Sequence, residues 1–452
     1  MPKQDWVLPL KIEHEFAKLL VKQKKKGFLV DEKLMKKHIV QLDRYISRID
    51  KFATPDLPMK VVPLIKKKDG EYPYVKKVFL KGGGLSEASE KWIELAYEGT
   101  NPGFAGVFTR ISFEIIDINS VAQVKNFLLD QGWVPDEWNV SKKTGKRTSP
   151  KLSATDSFLG VEGKVGKLVA MRQKFKHRRS QLEGFLKLIR HDGRITADVS
   201  GICPTARLKH KGIVNVPGGD ALFGLSMREV FVVPRGYNLV GCDAASCQLR
   251  MLCHYMGDAE YTKAVVFGKK ENGTDIHSVN MRIAGCASRA DAKTLIYAIL
   301  FGAGNNKLAA QLGCTPRQAA AMRKRFMDNL PKLKALVEAL KKVWKKQGYL
   351  VGLDGRKIFV RSEHMLLVYL LQGAEAVMMK VATLFAHKYV AQYDASMVAH
   401  VHDEFQWEVL NEDSVIVGEL LEKAIVQAGV FLKLNVPMAG EAEIGFNWRD
   451  TH

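Results

Sequence analysis

The chain has 452 residues, 46% of them hydrophobic and 26% charged, which excludes a disordered polymer and allows a large buried core. Its formal net charge is +21, from 69 Lys and Arg against 48 Asp and Glu. An excess of that size points to a polyanionic partner, nucleic acid ahead of lipid, with a merely solvated basic surface as the bland alternative.

The polar start shows no signal-peptide pattern, and no apolar run approaches the length of a membrane span. The expectation is a cytoplasmic protein with no membrane partner. Cys203, Cys242, Cys247, Cys253, Cys286 and Cys314 show neither a Cys-x-x-Cys pair nor zinc spacing. They read as reduced, mostly buried small residues, with no structural metal.

Residues 11–31 read as a helix that stops at Gly27, with Ile12, Phe16, Leu19 and Leu20 as its apolar stripe and Lys24, Lys25 and Lys26 in its last turn. A second helix is expected over 31–51. Across 52–110 the prolines, the Lys66-Lys67-Lys68 run and Gly82-Gly83-Gly84 break helical periodicity, so this stretch reads as an inserted unit of small strands and loops. Ser120 is placed to cap a helix running to Asp130, a basic loop follows over 141–150, and another helix is expected over 163–190. Arg172, Lys174, Lys176, Arg178 and Arg179 crowd the middle of that helix. A solvated face is the usual fate of such a run; the overall basic excess favours contact with a phosphate backbone.

Three segments further on carry chemistry. Leu239-Val240 leads into Asp243, with Gln248, Leu249, Arg250 and His254 opening a helix behind it. Ser288 and Asp291 form a capping-box pattern, and Arg289, Lys293 and Tyr297 follow at helical spacing on one face, suited to a triphosphate. Near the end, β-prone residues flank His402-Asp403-Glu404, which reads as a hairpin with its acids at the turn and not as a buried core strand. Two carboxylates brought by separate strands to one point can hold a pair of Mg²⁺ ions for phosphoryl transfer. Each segment alone is weak: a lone Asp is commonly a cap, and Arg-Lys-Tyr is commonly a solvated face.

Together the three segments resemble motifs A, B and C of the family A (DNA polymerase I-like) DNA polymerases, most closely the phage branch. Phe301-Gly302 completes the motif B pattern, and Asp275-Ile276-His277 resembles a further triphosphate contact. Thr205-Ala206-Arg207-Leu208 with Asn215-Val216-Pro217 resembles the segment that reads the primer–template minor groove. Leu371-Gln372-Gly373, the run Gly352 to Arg356, and Gly445-Phe446-Asn447-Trp448 extend the likeness. Two positions depart from the pattern: Gln248 stands where the family usually has Glu, and Val368 where an Asn is common.

The resemblance implies an α+β right-hand fold, with an antiparallel palm sheet, helical fingers and a helical thumb. The expected division is an N-terminal helix over 1–30, thumb over 31–200 with the inserted unit at about 52–110, palm over 201–258, fingers over 259–350 and palm again over 351–452. It implies template-directed addition of dNTPs to a primer. Asp243 and Asp403 would be metal ligands for two Mg²⁺ ions (Mn²⁺ as a substitute), and Glu404 a supporting catalytic acid. The resemblance assigns Arg289, Lys293, Tyr297, His277 and Gln248 to the dNTP, and Arg207, Asn215, Gln372, His402 and Arg250 to DNA.

Gln248 would lie against the sugar of the incoming nucleotide and exclude a 2′-hydroxyl by its bulk. No proofreading exonuclease site precedes the first polymerase-like helix, so a separate exonuclease subunit is an expected partner. The unit at 52–110 matches in position a thumb insertion that binds a thioredoxin-like processivity factor, and a plain thumb elaboration is weighed equally. The setting implied is replication in the cytoplasm of an infected bacterial host. The alternatives are a single-subunit RNA polymerase, left open by Gln248 alone, and a non-catalytic DNA-binding or processivity subunit, disfavoured because both acids and the basic face are present.

Overall fold

The computed structural model describes residues 6–451, apart from 64–73, 76–78, 88, 91–107, 110, 136–137, 142, 153–157 and 214–215. Asn215 and much of the 52–110 stretch therefore lie outside the described residues. By packing, the chain divides into one unit of Met1–Tyr45, Val134–Gly160 and Gln173–His452, and a second of Ile46–Trp133 and Val161–Arg172.

The first unit is built on a four-stranded antiparallel sheet. Its strands lie in the order Ala395–Val401, Glu404–Leu410, Tyr237–Ala244, Gly440–Gly445. The Glu404–Leu410 strand is therefore interior to the sheet, and Glu404 through Val409 are all buried. This corrects the reading of that segment as a hairpin without a buried strand. Phe405, Trp407 and Val409 fill the apolar face. On the other face Gln406 and Glu408 are buried because distant partners satisfy them: Thr451 Oγ1 donates to Gln406 at 2.9 Å, while Lys26 and Arg194 pair with Glu408 at 2.6 and 2.9 Å. A buried polar side chain is tolerated on those terms.

One glycine is required here by space. A Cβ at Gly241 would lie 2.4 Å from Gln406 Nε2 and 2.6 Å from the Thr451 carbonyl, so only glycine admits the C-terminal segment against the Tyr237–Ala244 strand.

The Ser414–Phe431 helix packs on the sheet, and the Leu366–Tyr389 helix packs on it in turn, buried along most of its length. Residues 363–389 are long and apolar enough to cross a membrane by length and composition, which corrects the sequence reading, and 83% of an 18-residue apolar window within them is buried inside the protein. Helices Ile276–Ala284, Arg289–Leu300, Asn305–Leu312 and Pro316–Asp328 form a helical layer beside it. The N-terminal helix, Val7–Lys26, ends at Gly27 (φ +69°), which supplies the left-handed turn at little cost. The 141–150 loop is part of a hairpin, Trp138–Val140 with Arg147–Pro150.

The second unit has two strand pairs, Met59–Pro63 with Ile111–Ile115 and Tyr74–Val75 with Phe108–Thr109, and the helix Val121–Asp130. Ser120 stands at that helix's start without a side-chain capping bond.

The charge run of the Lys164–Leu186 helix is largely internal. Arg172 is buried and bonds Asp50 and the Ile118 carbonyl; Arg178 is buried and donates to Leu222 O at 3.3 Å; Arg179 pairs with Asp43 at 2.5 Å. These three arginines hold the fold together, a correction to their reading as phosphate contacts.

Candidate active site

Two adjacent strands and one turn bring the acids together. The Tyr237–Ala244 strand ends at the site, its Asp243 registered opposite Glu404 on one side and Glu441 on the other. The turn between the Ala395–Val401 and Glu404–Leu410 strands has only two residues, His402 and Asp403. His402 takes φ +56°, a region in which histidine is one of the few enriched non-glycine residues. The Ala244 N–H donates to the Asp403 carbonyl at 2.9 Å, so the backbone itself fixes the turn at the end of the neighbouring strand. Asp243 and Asp403 are both half-buried there.

Glu404 is drawn into the protein. Trp448 Nε1 donates to its carboxylate at 2.6 Å and Gln406 Nε2 at 2.5 Å. It is the first residue of a buried strand and not part of the turn. Arg228, which the sequence reading missed, lies over the Trp448 ring at 4.7 Å. Its charge is disfavoured by burial and supported by Glu404 and Asp243, which places a guanidinium within electrostatic range of the acids. No local pattern around Arg228 marks it; Trp448 and Glu404, which set its surroundings, are more than 170 positions away.

The Arg289–Leu300 helix begins with the anticipated capping box: Ser288 Oγ accepts from the Asp291 N–H at 3.1 Å, and Asp291 accepts in return from Ser288 N–H. Along its face come Arg289, the exposed Lys293 and the half-buried Tyr297. Tyr297 stacks on Phe301 with ring centres 6.2 Å apart and lies 6.0 Å from the His277 ring. Burial raises the Tyr297 hydroxyl and Asp403 adds to the rise, so this helix looks onto the acidic pair. Burial, then Arg289 and Lys293, lower His277 and keep it neutral. A cavity of about 1080 Å³ opens beside the helix, lined by Lys293, Tyr297 and Phe301 and by Trp138 and Arg147 of the hairpin. That volume accommodates a nucleotide.

Asp275 is a second residue whose role was missed. It caps the Ile276–Ala284 helix through the His277 N–H, accepts from Ser278 Oγ, and pairs with Arg289 at 2.8 Å. Burial raises its carboxyl, but bonds from Arg289, Ser278 and the His277 N–H outweigh this and hold it at about 2, below the ordinary 3.8. Asp275→Ala should cost about 1–2 kcal/mol, the worth of a lost cap. With the folded value below the unfolded one, this contribution is complete above about pH 4 and fades as pH falls toward 2. Urea unfolding of wild type and variant at pH 7 and in acid checks both points; equal midpoints at pH 7 would remove the argument.

Of the residues assigned to DNA, Arg207 and Gln372 are half-buried and His402 is exposed, edge-on to His210 at 5.4 Å. Arg250 is buried. Its guanidinium donates to the Ala245 carbonyl at 2.8 Å and to the Pro437 carbonyl, so it braces the Cys247–Met256 helix and is not a DNA contact. Gln248 is buried on the same helix.

Comparison with known proteins agrees with this geometry. The family model for DNA polymerase family A matches residues 105–450. A DNA-directed DNA polymerase of Escherichia phage Phieco32 is 25% identical, over 98% of this chain and 99% of its own length. One of Enterobacteria phage T3 is 25% identical over 98% of this chain and 70% of its own. The thermostable DNA polymerase I of Thermus aquaticus is 27% identical over 75% of this chain and 42% of its own. Among solved structures, the POL domain of a polymerase from M. smegmatis, in complex with DNA primer-template and dNTP, superposes with a TM-score of 0.71 over 97% of this chain and 70% of that one, at 18% identity. The fold is the α+β fold of a polymerase domain, and the chain belongs to DNA polymerase family A, as a DNA-directed DNA polymerase.

Proposed function

We propose that this polymerase extends a primer 3′-hydroxyl with dNTPs on a DNA template, with Asp243 and Asp403 as its catalytic carboxylates. The observation that carries the reading is the Ala244–Asp403 backbone bond, which sets two half-buried acids side by side on rigid elements. Among the described residues no three His, Cys, Asp or Glu side chains form a metal cage. A pair of carboxylates that leaves the remaining positions to phosphate oxygens and water suits Mg²⁺, which dehydrates reluctantly. When bound, two such ions lower the pKa of the primer hydroxyl and neutralise the triphosphate and departing pyrophosphate.

The chain's own groups do the positioning. Lys293 and Arg289 receive the phosphates as charged donors, and neutral His277 offers one further hydrogen bond. Asp275 fixes the Arg289 fork, so its orientation is set before the nucleotide arrives. Tyr297 packs on the nascent base pair, Gln248 against the sugar, and Arg207, Gln372 and His402 along the primer terminus. The phage relatives support a role in phage genome replication.

Primer extension with dNTPs or rNTPs, with Mg²⁺ or with EDTA, tests the reading. Extension with dNTPs that EDTA abolishes is expected. Tight primer–template binding without extension in any mixture would reverse it.

The insertion at 52–110 is proposed as the seat of a thioredoxin-like processivity partner. Its removal should shorten products without abolishing single-nucleotide addition. Unchanged product length, with and without added thioredoxin, would eliminate that partner.

A further inference from the structure

A buried ion pair lies beside the nucleotide site and has no part in the functions assigned so far. Glu375 is 1% exposed, on the Leu366–Tyr389 helix, three positions after Gln372 and so on the same helical face. Arg207 Nη2 donates to Glu375 Oε1 at 2.5 Å. Gln248, 7% exposed, lies against the same carboxylate from the motif A helix.

Three atoms of this cluster are buried without a hydrogen-bond partner: Arg207 Nε, Glu375 Oε2 and Gln248 Oε1. Unpaired buried polar atoms are costly and uncommon, so three in one cluster set it apart from a fully satisfied structural bridge. Burial raises the Glu375 carboxyl; Arg207 and Gln248 oppose the rise, and Asp403 adds to it. The cluster therefore lies within electrostatic range of the motif C acid.

We propose that Glu375 is a positioning residue for sugar selection: its carboxylate holds Arg207 on one side and the Gln248 amide on the other, fixing Gln248 where it meets the sugar of the incoming nucleotide. This rests on the reading of Gln248 as the sugar-facing residue. The charge count supports it. One half-buried guanidinium is balanced by one buried carboxylate, and here that carboxylate comes from the core helix while position 248 is neutral. An acid at both positions would set two negative charges on one arginine, a costly arrangement at low dielectric. A neutral side chain at 248 and an acid at 375 are thus compatible around one arginine.

The test is single-nucleotide incorporation with dNTP and the matching rNTP, giving kcat and KM for each, on wild type, Glu375→Ala, Glu375→Gln, Gln248→Glu, Gln248→Ala and the double variant Gln248→Glu/Glu375→Ala. Loss of a hydrogen bond to a charged group should raise the rNTP-to-dNTP efficiency ratio about tenfold in Glu375→Ala. Gln248→Glu alone should slow both substrates, whereas the double variant, which restores one carboxylate per guanidinium, should return to within about threefold of the wild-type ratio. Glu375→Gln keeps the shape and supplies the reading if the alanine variant does not fold. A parallel loss of dNTP and rNTP incorporation, with the ratio unchanged in both Glu375 variants, would reduce Glu375 to a structural residue and overturn the proposal. So would a double variant no better than Glu375→Ala. If Gln248→Ala also leaves the ratio unchanged, the sugar-facing reading of Gln248 is what fails.

Discussion

Asp403→Ala should slow nucleotide addition by about 10³-fold or more while leaving the protein folded and able to bind primer–template. The size follows from the several kcal/mol of charge stabilisation that a metal-holding carboxylate supports, at about 1.4 kcal/mol per factor of ten. The selectivity follows from the turn. The Asp403 backbone carbonyl, which the substitution keeps, ties the turn to the sheet, and the left-handed residue of the turn is His402. Truncating a half-buried side chain there should shift stability by no more than about 0.5 kcal/mol. Asp243→Ala should behave alike, and the double variant should be scarcely worse than either, because the two acids act as a unit. Rapid-quench incorporation with a parallel binding titration measures both arms. A variant that keeps a tenth of the wild-type rate would remove Asp403 from the chemistry.

How much of this was legible in the sequence depended on how far away the deciding partner lies. The capping box at Ser288 and Asp291 is local, spans three residues, and appears in the structure as its spacing implies. The helix stop at Gly27 is equally local. The Glu404–Leu410 strand was misjudged because Gln406 and Glu408 look like a solvent-facing alternation. They are buried, and the groups that permit it come from positions 26, 194 and 451. Arg172 and Arg179 failed for the same reason: a positive run looks identical whether it meets water, phosphate or an internal acid, and here Asp50 and Asp43 take those charges. Arg250, assigned to DNA by resemblance, is held by two carbonyls, one of them 187 positions away. The motif acids were legible by type, while Arg228, Asp275 and Glu375 became visible only once the chain was folded.

The largest effect on stability should come from a residue far from the chemistry. Lys380 lies on the core helix with its side chain 1% exposed, and donates to both oxygens of Glu13 at 2.6 and 2.8 Å. Arg356 joins at 2.8 Å, itself held by Asp354 at 2.7 Å. Glu13→Ala would leave the Lys380 ammonium buried with its carboxylate partner gone, a change that costs about 3–5 kcal/mol. Burial already lowers the Lys380 pKa and Glu13 opposes that, so the substitution lets desolvation prevail. The folded state then binds fewer protons than the unfolded one, and stability must rise with pH. The deficit of Glu13→Ala should therefore be largest at neutral pH and shrink toward about pH 10, where the unfolded lysine also loses its charge. Adding Lys380→Met should recover most of it at pH 7, because an apolar side chain of similar length needs no partner. Chemical unfolding of wild type and the two variants from pH 7 to 10 measures these differences. A deficit that is independent of pH, or that survives Lys380→Met, would mean that Glu13 acts through packing of the N-terminal helix and not through the charge it neutralises.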